Sequence, residues 1–212
     1  MIAILDYRAG NLTSVQRALN SFGFSSEITD SPRVVREADR IIFPGVGAAG
    51  ESMANLRDLG LDVLLRDSFD SGKPILGICV GMQVLFDYSE ENHTTCLGML
   101  PGSVRLFPSG MKSGKGEHLK IPHMGWNEVS FCREHPVFKD VPPASEFYFV
   151  HSYYPDPAET AHVLGRTDYG LTFTSAVAHR NLVAVQFHPE KSGPAGLRVL
   201  KNFCRWNGRQ PS

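Results

Sequence analysis

The sequence contains no apolar run approaching the roughly 18 residues that a membrane-spanning helix needs, which argues against a helical membrane anchor. Net charge is also nearly absent: 21 Lys and Arg against 22 Asp and Glu leave −1. Such a balance gives no electrostatic case for nucleic acid or an anionic membrane as partner. Cysteine is scarce, with only Cys79, Cys96, Cys132 and Cys204 in 212 residues. They are widely spread and form no C-x-x-C pair, which argues against a disulfide framework or a zinc site. Each is expected to be a small buried hydrophobe unless it carries chemistry. No internal repeat or low-complexity tract is present, and no metal or organic cofactor is implied. The opening "MIAILDYRAGN" lacks the basic region and cleavage site of a leader, so a cytoplasmic location is expected.

The length suits a single domain over residues 1–212. Its first half alternates strand and helix patterns. "IAIL" (Ile2 to Leu5) is an apolar run of strand length, and Leu12, Val15, Ala18, Leu19 and Phe22 then mark one helical face. Asn11 is the expected N-cap and Gly23 the stop. A strand near Ser25 to Thr29, a short helix after Pro32, a strand at Arg40 to Phe43, helices around Ser52 to Phe69 and a strand at Pro74 to Ile78 follow. Runs that are apolar throughout suit a largely parallel sheet with helices on both faces. The second half is β-rich at Phe147 to Tyr154, Leu171 to Arg180 and Leu182 to Phe187, which adds an antiparallel portion to this α/β fold. A helix over Ala195 to Trp206 closes the chain, and Pro108 to Lys120 reads as a solvated loop.

"RIIFPGVGAAGE" carries a G-x-G-x-x-G at Gly45, Gly47 and Gly50. A dinucleotide fingerprint belongs on the first strand-to-helix turn and wants an acidic residue ending the next strand, about 20 residues on. Here the glycines follow the third strand, and the segment reaching Asp67 and Asp70 reads as helix. The loop needs another role.

"LGICVGMQVLF" (Leu76 to Phe86) has the form of a nucleophile elbow, with apolar residues leading in, Cys79 between Gly77 and Gly81, and helical character leading out. A nucleophilic cysteine needs a base, and the base needs an orienting group. His93, His118, His135, His162 and His179 sit in polar or loop-like surroundings and are expected to be exposed. His188 differs, because it ends "LVAVQF" and is followed by Pro189 and Glu190. Residues two apart in extended backbone share a side, so Glu190 can hold the imidazole in position. Attack on an amide carbonyl also needs N–H donors for the oxyanion. Val80 follows the nucleophile and offers one, and "PGVG" at the tip of a neighbouring strand can offer a second.

Together these motifs resemble those of class I glutamine amidotransferases, with Cys79 in "GICVGMQ" and His188 and Glu190 in "FHPE" matching that family's Cys-His-Glu triad. More narrowly, "DYRAGN", "FPGVG", "KIPHMGWN", "YFVHSYY" and "QFHPEKSGPAGLRVLKNF" are similar to the glutaminase subunits of imidazole glycerol phosphate synthases. The resemblance implies hydrolysis of L-glutamine through a Cys79 thioester, with His188 as base and then acid and Glu190 orienting it. It places the oxyanion hole at Gly47 and Val80, and glutamine against Gln83, Glu91, His151, Ser152 and Tyr153. It implies that ammonia passes through a tunnel into a separate (β/α)8-barrel cyclase subunit, which makes imidazole glycerol phosphate and aminoimidazole carboxamide ribonucleotide in histidine biosynthesis. Asn11, Trp126 and Lys191 would lie at that heterodimer interface. The family's glutaminase is nearly silent alone, and a reorienting "PGVG" peptide is its proposed switch.

Two departures stand out: Arg8 follows Asp-Tyr where the family usually has Gly, and Asn92 and Cys96 stand where glycines are common. An amidotransferase serving another acceptor is the nearest alternative, against which "PHMGWN" argues. A non-catalytic interaction module is opposed by the intact Cys79, His188 and Glu190. Turnover without a partner would favour a stand-alone cysteine hydrolase.

Overall fold

Strand β1 (Ile2–Leu5) is buried at every position, as the centre of a sheet covered on both faces demands. The structure is a computed structural model and describes residues 1–210. After β1 come α1 (Leu12–Ser21), β2 (Ser26–Thr29), α2 (Pro32–Glu37), β3 (Arg40–Gly45), α3 (Ala49–Asp58), α4 (Leu61–Asp70) and β4 (Ile75–Cys79). Gly60, left-handed at φ 66°, separates α3 from α4 inside the stretch read as helical. Beyond the one-turn helix α5 (Val80–Gln83) lie β5 (Phe86–Ser89), β6 (Thr94–Thr95), β7 (Leu100–Leu106), β8 (His123–Glu128) and β9 (Ser130–Phe131). The chain finishes with β10 (Glu146–His151), β11 (Tyr153–Pro157), β12 (Val163–Asp168), β13 (Thr172–His179), β14 (Leu182–Val185) and α6 (Gly193–Arg205).

The main sheet has the order β2-β1-β3-β4-β14-β13-β12-β9. Its first five strands are parallel and the last three add an antiparallel wing, as the mixed pattern of the sequence implied. Because β3, β4 and β14 are parallel neighbours, their C-terminal ends meet on one edge, the usual place for a site in such a sheet. Two smaller sheets, β10-β8 and β11-β7-β5-β6, stand beside that edge.

Several expectations need correction. The helix leading out of "GICVGMQVLF" lasts only one turn, because Phe86 already begins β5. "FYFVHSYY" is two strands in different sheets, parted at Ser152, whose carbonyl accepts from Phe107 N–H. Asn11 occupies the N-cap position but makes no side-chain cap; its Oδ1 accepts from the Ser14 hydroxyl instead. His135 and His162 are buried, their rings packed against Trp206 and His179 respectively. Cys132 is exposed, since it follows the sheet's edge strand β9. The departures at Arg8 and Asn92 both lie in the left-handed region, at φ 68° and 56°, which accounts for glycine being common there. Among the described residues no helix is long and apolar enough to cross a membrane.

Candidate active site

Cys79 ends β4 at φ 56°, ψ −116°, a conformation costing about 1–3 kcal/mol that only surrounding structure can hold. The flanking glycines make the turn possible. A Cβ on Gly81 would lie 2.0 Å from the Phe43 carbonyl oxygen, and one on Gly77 would meet Ala184, Gly81 and Leu85 at 3.0 Å each. Gly81 therefore lets α5 press directly on β3. Gly45, paired with Cys79 in the β3–β4 register, is equally confined: a Cβ there would sit 2.3 Å from the Tyr7 hydroxyl.

Strand β14 carries the second half of the site to the same edge. Beyond it, Pro189–Lys191 forms a tight helical turn, and Ser192 clamps that turn to β10. The Ser192 hydroxyl donates to the His188 carbonyl at 2.6 Å and accepts from Tyr148 N–H at 2.9 Å. His188 Nδ1 lies 2.9 Å from Glu190 Oε1, and both side chains are 2 % exposed. The carboxylate makes Nδ1 the donor and turns Nε2 toward Cys79. Among the described residues Nε2 closes no regular hydrogen bond, and Cys79 is the neighbour that acts on its protonation. Burial lowers the His188 pKa, yet the neighbouring Cys79 sulfur and the hydrogen bond and charge of Glu190 together outweigh it and raise the value to about 9.

These residues open onto a cavity of about 260 Å³. Of the residues singled out in the sequence, Gly47, Cys79, Val80, Gln83, Glu91, His151, Ser152, Tyr153 and His188 all line it, and Glu190 stands directly behind His188. Gly47 has φ 91°, open to glycine and costly for other residues. Glu91 is partly committed: its Oε2 accepts from Ala49 N–H at 2.7 Å, tying the start of α3 to the cavity rim. Gln83 Nε2 donates to Tyr153 O and to Gln186 Oε1, both at 3.0 Å. Both its N–H groups are thereby used, so Gln83 presents its carbonyl oxygen as an acceptor.

His151 is held by more than its backbone. Its Nδ1–H donates to Tyr153 O at 2.8 Å, and its Nε2 accepts from His123 Nδ1 at 2.9 Å. His123 Nε2 in turn accepts from Asn127 Nδ2 at 3.2 Å. The chain works only with both imidazoles neutral. Burial supplies that state, lowering His123 to about 4 and His151 to about 3, the latter against the opposing bond from Tyr153. Trp126 and Lys191 lie outside the cavity but share Tyr148 as a neighbour: Trp126 is edge-on to that ring at 6.3 Å and Lys191 Nζ lies 5.9 Å from its centroid. Asn11 is also outside, next to Gly10, whose Cα faces the Pro44 carbonyl.

Sequence reasoning missed Gln186, Ser192, His123, Asn127 and Tyr7. The first two lie inside the "QFHPEKSG" stretch and the next two inside "PHMGWN", so their neighbourhoods were marked even though their contacts were not.

A buried cysteine on a strained elbow, a His-Glu pair and a small polar-walled cavity at the edge of a parallel sheet are the features of a class I glutamine amidotransferase. The family model described as Glutamine amidotransferase class-I matches residues 3–206. The imidazole glycerol phosphate synthase subunit HisH of Maridesulfovibrio salexigens is 53 % identical over 206 residues, covering 97 % of each chain. That of Pseudomonas putida is 50 % identical over 210 residues, covering 98 % of each. Among solved structures, PurLQS from Thermotoga maritima gives a TM-score of 0.73 at 17 % identity, covering 96 % of this chain and 97 % of that one. The glutaminase domain of Trypanosoma brucei CTPS gives 0.61 at 15 %, covering 99 % and 96 %, so both share the fold. The chain belongs to the HisH family of class I glutamine amidotransferases.

Proposed function

We propose that this chain is the glutaminase subunit of imidazole glycerol phosphate synthase, hydrolysing L-glutamine and delivering ammonia to a cyclase subunit in histidine biosynthesis. The observation that carries the reading is the His188–Glu190 pair at 2.9 Å opening onto the same cavity as Cys79 and Gln83. Cys79 gives its proton to His188, its sulfur attacks the side-chain amide carbon of glutamine, and negative charge develops on the amide oxygen. N–H groups at Val80 and Gly47 receive that charge, a contribution of about 10²–10³ in rate per donor. His188, held by Glu190, passes a proton to the amide nitrogen; the C–N bond breaks, ammonia leaves and a thioester remains. A water that gives its proton to His188 then attacks the thioester, the C–S bond breaks and glutamate departs.

Gln83, Glu91 and the His151–Tyr153 backbone hold glutamine in this scheme. The partner is a (β/α)8-barrel cyclase in the cytoplasm, reached through an ammonia tunnel. Support for a docking face comes from β8, where Met124 is 62 % and Trp126 54 % exposed, with Lys191 close by. Gly47, at φ 91° and without a side chain to restrain it, suits a peptide that reorients when the partner and its nucleotide bind.

The test is glutamate release by the purified chain, alone and with a cognate cyclase and its nucleotide ligand. Near-silence alone and a large rise in the complex, abolished by Cys79→Ala, is the expected result. High activity alone points to a free-standing hydrolase, and none in any mixture points to a silent interaction module.

A further inference from the structure

The Cys79 sulfur has a second polar neighbour besides His188. Gln186 follows β14, is fully buried, and places its side-chain Nε2 3.7 Å from Cys79 Sγ. Which end of that amide faces the sulfur is fixed from behind. Gln83 Nε2 donates to Gln186 Oε1 at 3.0 Å, so the Gln186 oxygen is turned away and its N–H groups are turned toward Cys79. Gln83 is itself held by Tyr153 O, and the Gln186 backbone N–H is fixed to Ser175 O at 2.9 Å. A side chain with this many restraints cannot rotate its donor away without breaking a buried hydrogen bond.

We propose that Gln186 is a further catalytic residue, donating an N–H to the charged sulfur of Cys79 and held in that pose by Gln83. The assignment rests on the reading of Cys79 as nucleophile. A neutral thiol gains little from such a donor, whereas a sulfur carrying full negative charge gains much more. The charge is present at two points. It is there before attack, when the sulfur has lost its proton. It returns when water has added to the thioester, because the electron pair of the breaking C–S bond goes back to sulfur. His188 faces the sulfur as a cation and Gln186 as a fixed dipole, so the leaving thiolate is stabilised without reorganisation.

The test compares the rate and pH profile of Cys79 alkylation by iodoacetamide in the wild type, Gln186→Met and Gln186→Glu, followed on the Cys79 peptide by mass spectrometry. His188, Glu190, His151, Glu91 and Tyr7, the other titratable groups at the Cys79 cavity, are unchanged in all three. In Gln186→Met, alkylation at pH 7 is expected to slow about tenfold, the effect of one hydrogen bond to a charged group, with the profile moving to higher pH. Glutamine turnover in the complex should fall in kcat more than KM changes. A Met variant that is folded by circular dichroism and overlays the wild-type profile overturns the proposal. Should Met prevent folding, Gln186→Glu decides: it keeps the acceptor for Gln83 but sets an oxygen against the sulfur. Slower alkylation supports the assignment and an unchanged profile overturns it. The same series separates the two readings, since a wild type whose glutamate release survives complete Cys79 alkylation refutes the nucleophile itself, whatever Gln186 does.

Discussion

Replacing Glu190 by glutamine keeps the shape of the side chain and removes the charge that faces His188. The magnitude follows from the pair. Raising His188 from its ordinary 6.5 to about 9 corresponds to about 3 kcal/mol in favour of the imidazolium. Burial opposes that shift, and the Cys79 sulfur and the Glu190 carboxylate together overcome it, so an equal split gives Glu190 at least half of the net, roughly 1.5–2 kcal/mol. Both side chains are 2 % exposed, which leaves little room for solvent screening. The sign depends on pH. Between pH 6.5 and 9 the native state keeps a proton that the unfolded chain has released, so this stabilisation is complete below 6.5 and is lost as pH rises through 9. Glu190→Gln should therefore lower Tm by about 3–8 °C at pH 6, at 2–4 °C per kcal/mol for this size, and by little above pH 9.5. Glutamine turnover in the complex should drop about 10²–10⁴-fold, because the imidazole loses the group that fixes its tautomer. Thermal melts of both proteins at pH 6 and pH 9.5 provide the assay. An equal loss at both values, or none at pH 6, would refute the reasoning.

Gly81→Ala should destabilise by more than 3 kcal/mol or prevent folding, because its Cβ would sit 2.0 Å from a backbone carbonyl that cannot move aside; urea unfolding measures it. Tyr7→Phe should be neutral or stabilising by up to about 1 kcal/mol, since among the described residues the fully buried Tyr7 hydroxyl closes no regular hydrogen bond and the Ser52 hydroxyl beside it closes none either; a Tm drop of several degrees would show that the two are bonded. On the acid side, His123, His135 and His151 are neutral when folded and take up protons only when unfolded below about pH 6.5, so stability should fall as pH drops toward 4. Urea midpoints between pH 6.5 and 4.5 should decline less steeply, by about one proton, in His123→Leu than in the wild type.

What the sequence revealed was local. Cys79 with Gly77 and Gly81 is a motif of five residues, and its geometry follows from a strand that must turn sharply into a helix. His188 and Glu190 were readable for the same reason, two positions apart across a proline at a strand end. The parallel half of the sheet was legible because buried strands such as Ile2–Leu5 are apolar throughout. Strands β5 to β9 were not, since several are two to four residues long and lie on the smaller sheets or at the edge of the main one, where the apolar pattern fades. Gln186 was invisible because its partner Gln83 is 103 positions away, and the His123–His151 bond spans 28. Such contacts depend on how β8, β10 and β14 come together, which no window of sequence contains.

The claim on which everything else depends is that Cys79 is the atom that takes glutamine. Incubating the chain, assembled with its cyclase, with an electrophilic glutamine analogue and locating the adduct by peptide mass spectrometry tests it directly. One label per chain on Cys79, blocked by excess glutamine and lost in His188→Ala, is the expected result. Labelling confined to the exposed Cys132, or labelling of Cys79 that glutamine does not prevent, would contradict it.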